Sequence, residues 1–221
     1  MIYHRSTPGS RRFSFTMSNR IRVERVGTRQ SQHGEQHPPD LDRTSVWVVG
    51  NDREVVIIDA DEDGIDIAHS VKDRYVTAVI CTQGGRAHSA AAIDVAWALC
   101  APVLLHPADH ALWEAVHGPC PYWQLEDGQR IAVAGEQLHV VHTPGATPGS
   151  VSLHFPSLNA LFTGDALGHS CEPSDDRSAQ FSEFTFPSDL PADTCVYPGH
   201  GDSFLLGDML SPTDRWVRHS A

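Results

Sequence analysis

Four short segments of this 221-residue chain concentrate the residue types that can hold a metal or handle protons: CTQGGRAHSAAA at 81–92, HTPGATPGS at 142–150, FTGD at 162–165 and YPGHG at 197–201. Each sets imidazole or carboxylate groups in or beside a turn that follows, or closes, an apolar, β-prone run. In layered α/β proteins the loops at the carboxyl ends of strands converge on one edge, so His88, His142, Asp165 and His200 are expected to approach one another there. Plainer roles exist for the same residues. His88 can cap the helix that follows it, Asp165 can accept backbone N–H bonds from its turn, and His200 can pack between Pro198 and the C-terminal segment.

The elements that must present these turns follow from the hydrophobic pattern. SVWVVG at 45–50, EVVIIDA at 54–60, VTAVICT at 76–82 and PVLLH at 102–106 are continuous Val- and Ile-rich runs, the pattern of strands buried on both faces. Helical stretches fall between them, at Gly64 to Asp73 and at His88 to Leu99, where Ile93, Trp97 and the alanines supply a packing face. The second half reads as short strands at 137–141, 150–155, 160–162 and 194–197 joined by Gly/Pro turns. Ile21, Val23 and Val26 alternate like one further strand, 30–42 reads as a polar loop with solvated His33 and His37, and Trp216 to His219 as a helix end. Alternating βα units followed by meandering strands predict an α/β fold with helices outside two packed sheets.

In this order and spacing the four segments resemble the metallo-β-lactamase superfamily, and residues 45–216 are similar to its glyoxalase-type hydrolases. The resemblance implies a four-layer αββα sandwich, one domain over residues 21–221. In the family the first turn reads T-H-x-H-x-D-H and supplies four metal ligands. Here Gln83, Gly85 and Ala87 stand at three of those positions and only His88 is kept. The family's HTPGHTPGS places a ligand where this chain has Ala146, and His142 matches the first, non-ligand histidine. Asp165 matches the bridging carboxylate and His200 the last histidine.

The resemblance thus implies a metal set of His88, Asp165 and His200, with Asp165 and His88 taking part in catalysis and a neighbouring position left vacant beside Gln83, Gly85 and Ala146. Two imidazoles and one carboxylate are a valid set for one divalent metal, zinc or iron(II). Loss of the carboxylate that Ala87 replaces removes both a ligand and a hydrogen-bond partner for a metal-bound water. Between Asp165 and His200 the segment SDDRSAQFSEFTFPSDLPAD, with Pro187 and Pro191, departs from the regular helix of the family. The pocket wall on that side is expected to be built differently.

Several other residues receive structural readings. Gly145, Gly149, Gly164, Gly199 and Gly201 serve turn backbone. Arg86 either replaces a lost metal charge or is solvated, and Cys81 and Cys100, in apolar runs, are expected in the core. Cys171, in GHSCE at 168–172, sits after the Asp165 turn as a possible nucleophile or extra ligand, but the sequence names no base for it and no GxSxG spacing is present.

Composition bounds the partners. The net charge is −12, with seven of the sixteen basic residues before residue 30, leaving nine against 27 acidic residues in the remainder. Such an acidic body repels phosphate backbones, so no nucleic-acid partner is expected. The longest apolar run, Val95 to Leu105, is far short of the ~18 residues of a membrane span, so no membrane partner is expected either. Residues 1–20 read as a basic arm, disordered or an upstream extension, and Met1 to Thr16 has the composition of a transit peptide. Five scattered cysteines without CxxC spacing point to a reducing, cytoplasmic compartment. Two functions remain: a hydrolase, or a lyase or cyclase, acting on a small acyl substrate through at most one metal, and a metal-free relative that binds a small molecule or a partner protein. Metal content separates them.

Overall fold

A computed structural model describes residues 19–26, 44–61, 64–167 and 190–209. Two six-stranded mixed sheets account for most of them. The first holds β1 (Arg22–Val26), β2 (Val46–Gly50), β3 (Glu54–Ile58), β4 (Tyr75–Ile80), β5 (Val103–Leu105) and β6 (Trp123–Gln124), in that spatial order. Its first three strands pair antiparallel and β3 to β6 pair parallel. The second holds β7 (Arg130–Val133), β8 (Glu136–His142), β9 (Val151–Phe155), β10 (Ala160–Gly164), β11 (Cys195–Pro198) and β12 (Phe204–Leu205), antiparallel except for β10 with β11.

The continuous apolar runs of the first sheet serve two cores at once. Val46, Val48, Val55 and Ile57 face a cluster shared with helices α1 (Gly64–Val71) and α3 (Ala92–Ala98). Their alternating neighbours Trp47, Val49, Val56 and Ile58 face the second sheet, against Leu138, Val140, Leu153 and Phe162. Period-two side-chain alternation with apolar residues on both faces gives such a run. A third cluster of Leu161, Leu167, Leu190 and Val196 is closed by Leu206 of the short helix α5 (Leu206–Met209) on the other side of the second sheet. Helices therefore flank two packed sheets, as the αββα expectation requires. Among the described residues no helix is long and apolar enough to cross a membrane.

Four differences from the sequence expectation have physical causes. The helix read at 88–99 is broken into α2 (Arg86–Ser89) and α3 because the His88 carbonyl and Ala91 N–H are taken by the backbone of Ala60, after β3, at 2.9 and 3.0 Å. Helix α4 (His110–His117) was not foreseen: it buries one large side chain, Trp113, too little to make an apolar stripe in the sequence. Strand β7 was missed because its alternation, with Ile131 and Val133 inward, spans only four residues. Cys81 is in the core as expected, but Cys100 is exposed, in a left-handed conformation (φ 53°) just past α3. The basic arm before residue 19, the 30–42 loop with His33 and His37, Cys171 and the 216–219 helix end lie outside the described residues.

The two sheets are tied together at one edge, where the turns of interest lie. Val151 N–H donates to the Thr82 carbonyl at 2.9 Å, Ser45 N–H to the Gly199 carbonyl at 2.6 Å, and the Trp47 indole N–H to the Pro198 carbonyl at 3.2 Å. These bonds set the end of β4 beside the start of β9, and the start of β2 beside the turn after β11.

Candidate metal centre

His88 lies on α2, in the turn after β4, and is fully buried. Its ring is gripped from both sides: Nδ1 lies 2.9 Å from Asp59 Oδ2 and Nε2 lies 3.1 Å from Asp165 Oδ2. Asp59, at the end of β3, is 1% exposed and holds a left-handed backbone (φ 58°), a conformation Asp tolerates better than most residues. Its carboxylate also accepts the Thr82 N–H at 2.8 Å and the Thr82 hydroxyl at 3.0 Å. Asp59 thus orients the imidazole and leaves Nε2 directed at Asp165, the arrangement by which a carboxylate fixes a metal-binding histidine.

Asp165 follows β10 and its two oxygens differ. Oδ2 accepts from Gln83 Nε2 at 2.7 Å as well as meeting His88. Among the described residues Oδ1 is sealed from solvent and takes no hydrogen bond, although His200 Nε2 stands 3.3 Å away. The His88 and His200 rings meet edge to face with centroids 5.6 Å apart. One donor atom from each of His88, Asp165 and His200 lies within 4.8 Å of the others. Gly199 makes this possible, since a Cβ there would come within 2.8 Å of His88 Cε1 and 2.9 Å of Asp165 Oδ1.

Electrostatics follow from this packing. Burial works against the charged imidazolium of His88, but the charge of Asp59 and the bonds to Asp165 and Asp59 outweigh it and raise its pKa from 6.5 to about 10. Burial likewise works to raise the Asp165 carboxyl. The hydrogen bond and charge of His88, the charge of His200 and the Gln83 amide outweigh it and hold that carboxyl below its ordinary 3.8.

The sequence profile of the metallo-beta-lactamase superfamily matches residues 39–200. The chain belongs to the metallo-beta-lactamase superfamily. It is similar to the thioesterase pkgB of Emericella nidulans, 28% identical over 173 residues that cover 75% of this chain and 48% of that protein. It is similar also to a hydroxyacylglutathione hydrolase of Fuscovulum blasticum, 29% identical over 110 residues, covering 48% of this chain and 36% of that one. The chain thus spans about half, or less, of the length of these two relatives. Among solved structures it resembles TTHA1623 in a di-iron-bound form, with 28% identity, a TM-score of 0.59, and coverage of 74% of this chain and 90% of that one.

Against the superfamily pattern, the residues fall into two groups. His88, Asp165 and His200 come together. His142 does not join them: its ring stacks on His106 with centroids 4.1 Å apart, and its Nε2 donates to the Pro148 carbonyl at 2.9 Å. Of the positions that lack superfamily ligands, Gln83 bonds Asp165, Gly85 caps α2, and Ala146 is exposed in the 143–149 turn. Arg86 opens α2 and is exposed. His88 sits within α2 rather than at its cap, and among the described residues Asp165 accepts from side chains.

Two residues of consequence escaped the sequence reading. Asp59 carries a signal, a carboxylate ending the buried run EVVIID. Asp109 carries none. It is fully buried at the start of α4, and its oxygens accept from Gly84 N–H at 2.8 Å, Thr147 Oγ1 at 2.6 Å and Gly149 N–H at 2.7 Å. It straps the 82–85 turn to the 143–149 turn.

Proposed function

We propose that the protein is a single-metal hydrolase of a small acyl compound, a thioester, ester or lactone, with His88, Asp165 and His200 as the metal ligands. The observation that carries this reading is Asp165 Oδ1, a buried carboxylate oxygen without a hydrogen bond, set beside two imidazole donors within 4.8 Å. A buried acceptor oxygen left without a partner is costly, and a cation on that oxygen removes the cost. The donor set fits zinc first and iron(II) second. The di-iron form of TTHA1623 supports iron as a metal for this fold, though it holds two ions, and the names thioesterase and hydroxyacylglutathione hydrolase support the substrate class.

When bound, the metal would supply a Lewis acid and an activated water. The chain's own part is positional. Asp59 holds the His88 ring so that Nε2 faces the ligand cluster, and Gly199 admits His88 and Asp165 at close range. Asp109 fixes the turn that bears Gln83 against the turn that bears Ala146.

A second reading, a metal-free binding protein, draws on the Gln83 and His88 bonds to Asp165 Oδ2, which satisfy that oxygen without a cation. Turnover separates the two. Protein loaded with one equivalent of zinc or iron(II) is expected to hydrolyse at least one member of a panel of acyl thioesters, aryl esters and lactones, and to lose that activity on chelation. No turnover across the panel, with or without metal, would favour the binding protein.

A further inference from the structure

We propose that Gln83 limits this centre to one metal ion and fixes the Asp165 carboxylate in the orientation that ion requires. The inference rests on the single-metal reading above.

The chain treats the two oxygens of Asp165 unequally. Oδ2 is taken by the Gln83 amide at 2.7 Å and approached by His88 Nε2 at 3.1 Å, whereas Oδ1 is left open beside His200. Gln83 has little freedom to let go. It is 7% exposed, and the amides on both sides of it are pinned to buried carboxylates: Thr82 N–H to Asp59 and Gly84 N–H to Asp109, each at 2.8 Å.

An amide N–H on Oδ2 takes one of that oxygen's two lone pairs and holds its direction, which weakens it as a ligand for a second cation, yet carries no charge that would repel a cation on Oδ1. A histidine in its place would bring a lone pair; glutamine brings a donor. Space is not what excludes a second ion. A Cβ at Gly85 meets nothing within 4 Å, the backbone there (φ −68°, ψ 153°) suits any residue, and Ala146 is exposed. Gly85 and Ala146 offer no donor atom, but both positions accept larger side chains, so once histidines stand there the hold of Gln83 on Oδ2 is the remaining barrier. Gln83 is thus a positioning residue, acting on the metal through Asp165.

The test measures metal equivalents retained after dialysis and the visible spectrum of the cobalt(II)-loaded protein. The set is wild type, Gln83→Met, the double variant Gly85→His/Ala146→His, and the triple variant that adds Gln83→Met, which frees Oδ2 without adding a ligand. Wild type and the double variant are expected to hold one equivalent and the triple variant two. Gln83→Met, similar in volume but without the donor, is expected to hold one equivalent roughly tenfold more weakly, with an altered cobalt spectrum, as the ligand loses its orienting bond. A double variant that takes up two equivalents, a triple variant that stays at one, or Gln83→Met with wild-type affinity and spectrum would each overturn the role of Gln83 alone. A wild type that binds no metal would overturn the single-metal reading and this inference together.

Discussion

Metal binding is expected to fall by more than about 100-fold in His200→Ala and in His88→Ala, because each removes one of the three proposed ligands and leaves a two-ligand site. The two variants should differ in stability. His88 is fully buried between Asp59 and Asp165, so its removal leaves the buried Asp59 carboxylate without its cationic partner and is expected to cost about 3 kcal/mol. His200 is half-buried and makes no hydrogen bond through Nδ1, so His200→Ala should unfold close to wild type and isolate the loss of metal. Ala87→Asp should act in the opposite direction, adding a charged ligand one residue before His88 and raising affinity roughly 10–100-fold. Zinc titration of the apo proteins reads all three.

The raised pKa of His88 adds a pH signature. A metal must displace the proton on Nε2, so apparent affinity should climb about tenfold per pH unit as pH rises from neutrality towards about 10, with a proton released on binding. The stability of the metal-free protein runs the other way. The folded-state pKa lies above the unfolded value of 6.5, so the contribution of the His88 pair is fully present below about 6.5 and is lost as pH rises through about 10.

The second large effect is expected at Asp109. Removing this buried carboxylate by Asp109→Ala leaves the Gly84 and Gly149 amides and the Thr147 hydroxyl without their acceptor, and should destabilise the fold by about 3–5 kcal/mol. That is a large fraction of the 5–15 kcal/mol of a typical domain. Asp109→Asn keeps the shape, but its amide group must face one of the two sets of donors, so it should recover only part of the loss. Urea denaturation measures both. An Asp109→Ala protein with the wild-type midpoint would show that the 82–85 and 143–149 turns do not depend on this strap.

The strap also explains two glycines that the sequence assigned to turn geometry alone or left unassigned. A Cβ at Gly149 would lie 2.6 Å from Asp109 Cγ, and one at Gly84 would lie 3.0 Å from Asp109 Cβ. Close approach of Asp109, by its carboxylate at Gly149 and by its carbonyl oxygen and Cβ at Gly84, requires glycine at both, beyond turn conformation. No pattern local to residues 107–110 reveals this, because its partners are 25 to 40 residues away in the chain.

The same distinction marks what else could be read from sequence. Strands β2 to β5 were legible because burial on both faces leaves an unbroken apolar run. Helix α4 and strand β7 were not, since each buries only one or two side chains. The meeting of His88, Asp165 and His200 was legible through the motifs that carry them. Asp59 and Gln83 acquire their roles only when the ends of β3 and β4 and the Asp165 turn are brought into contact, which periodicity cannot express. The break between α2 and α3 has the same origin, in backbone bonds to Ala60 across the sheet edge.

Elemental analysis of the protein purified without added metal and then dialysed tests the central claim most directly. One equivalent of zinc or iron per chain is the expected result. Two equivalents, or none even after loading with zinc or iron(II), would contradict a single-metal centre at His88, Asp165 and His200.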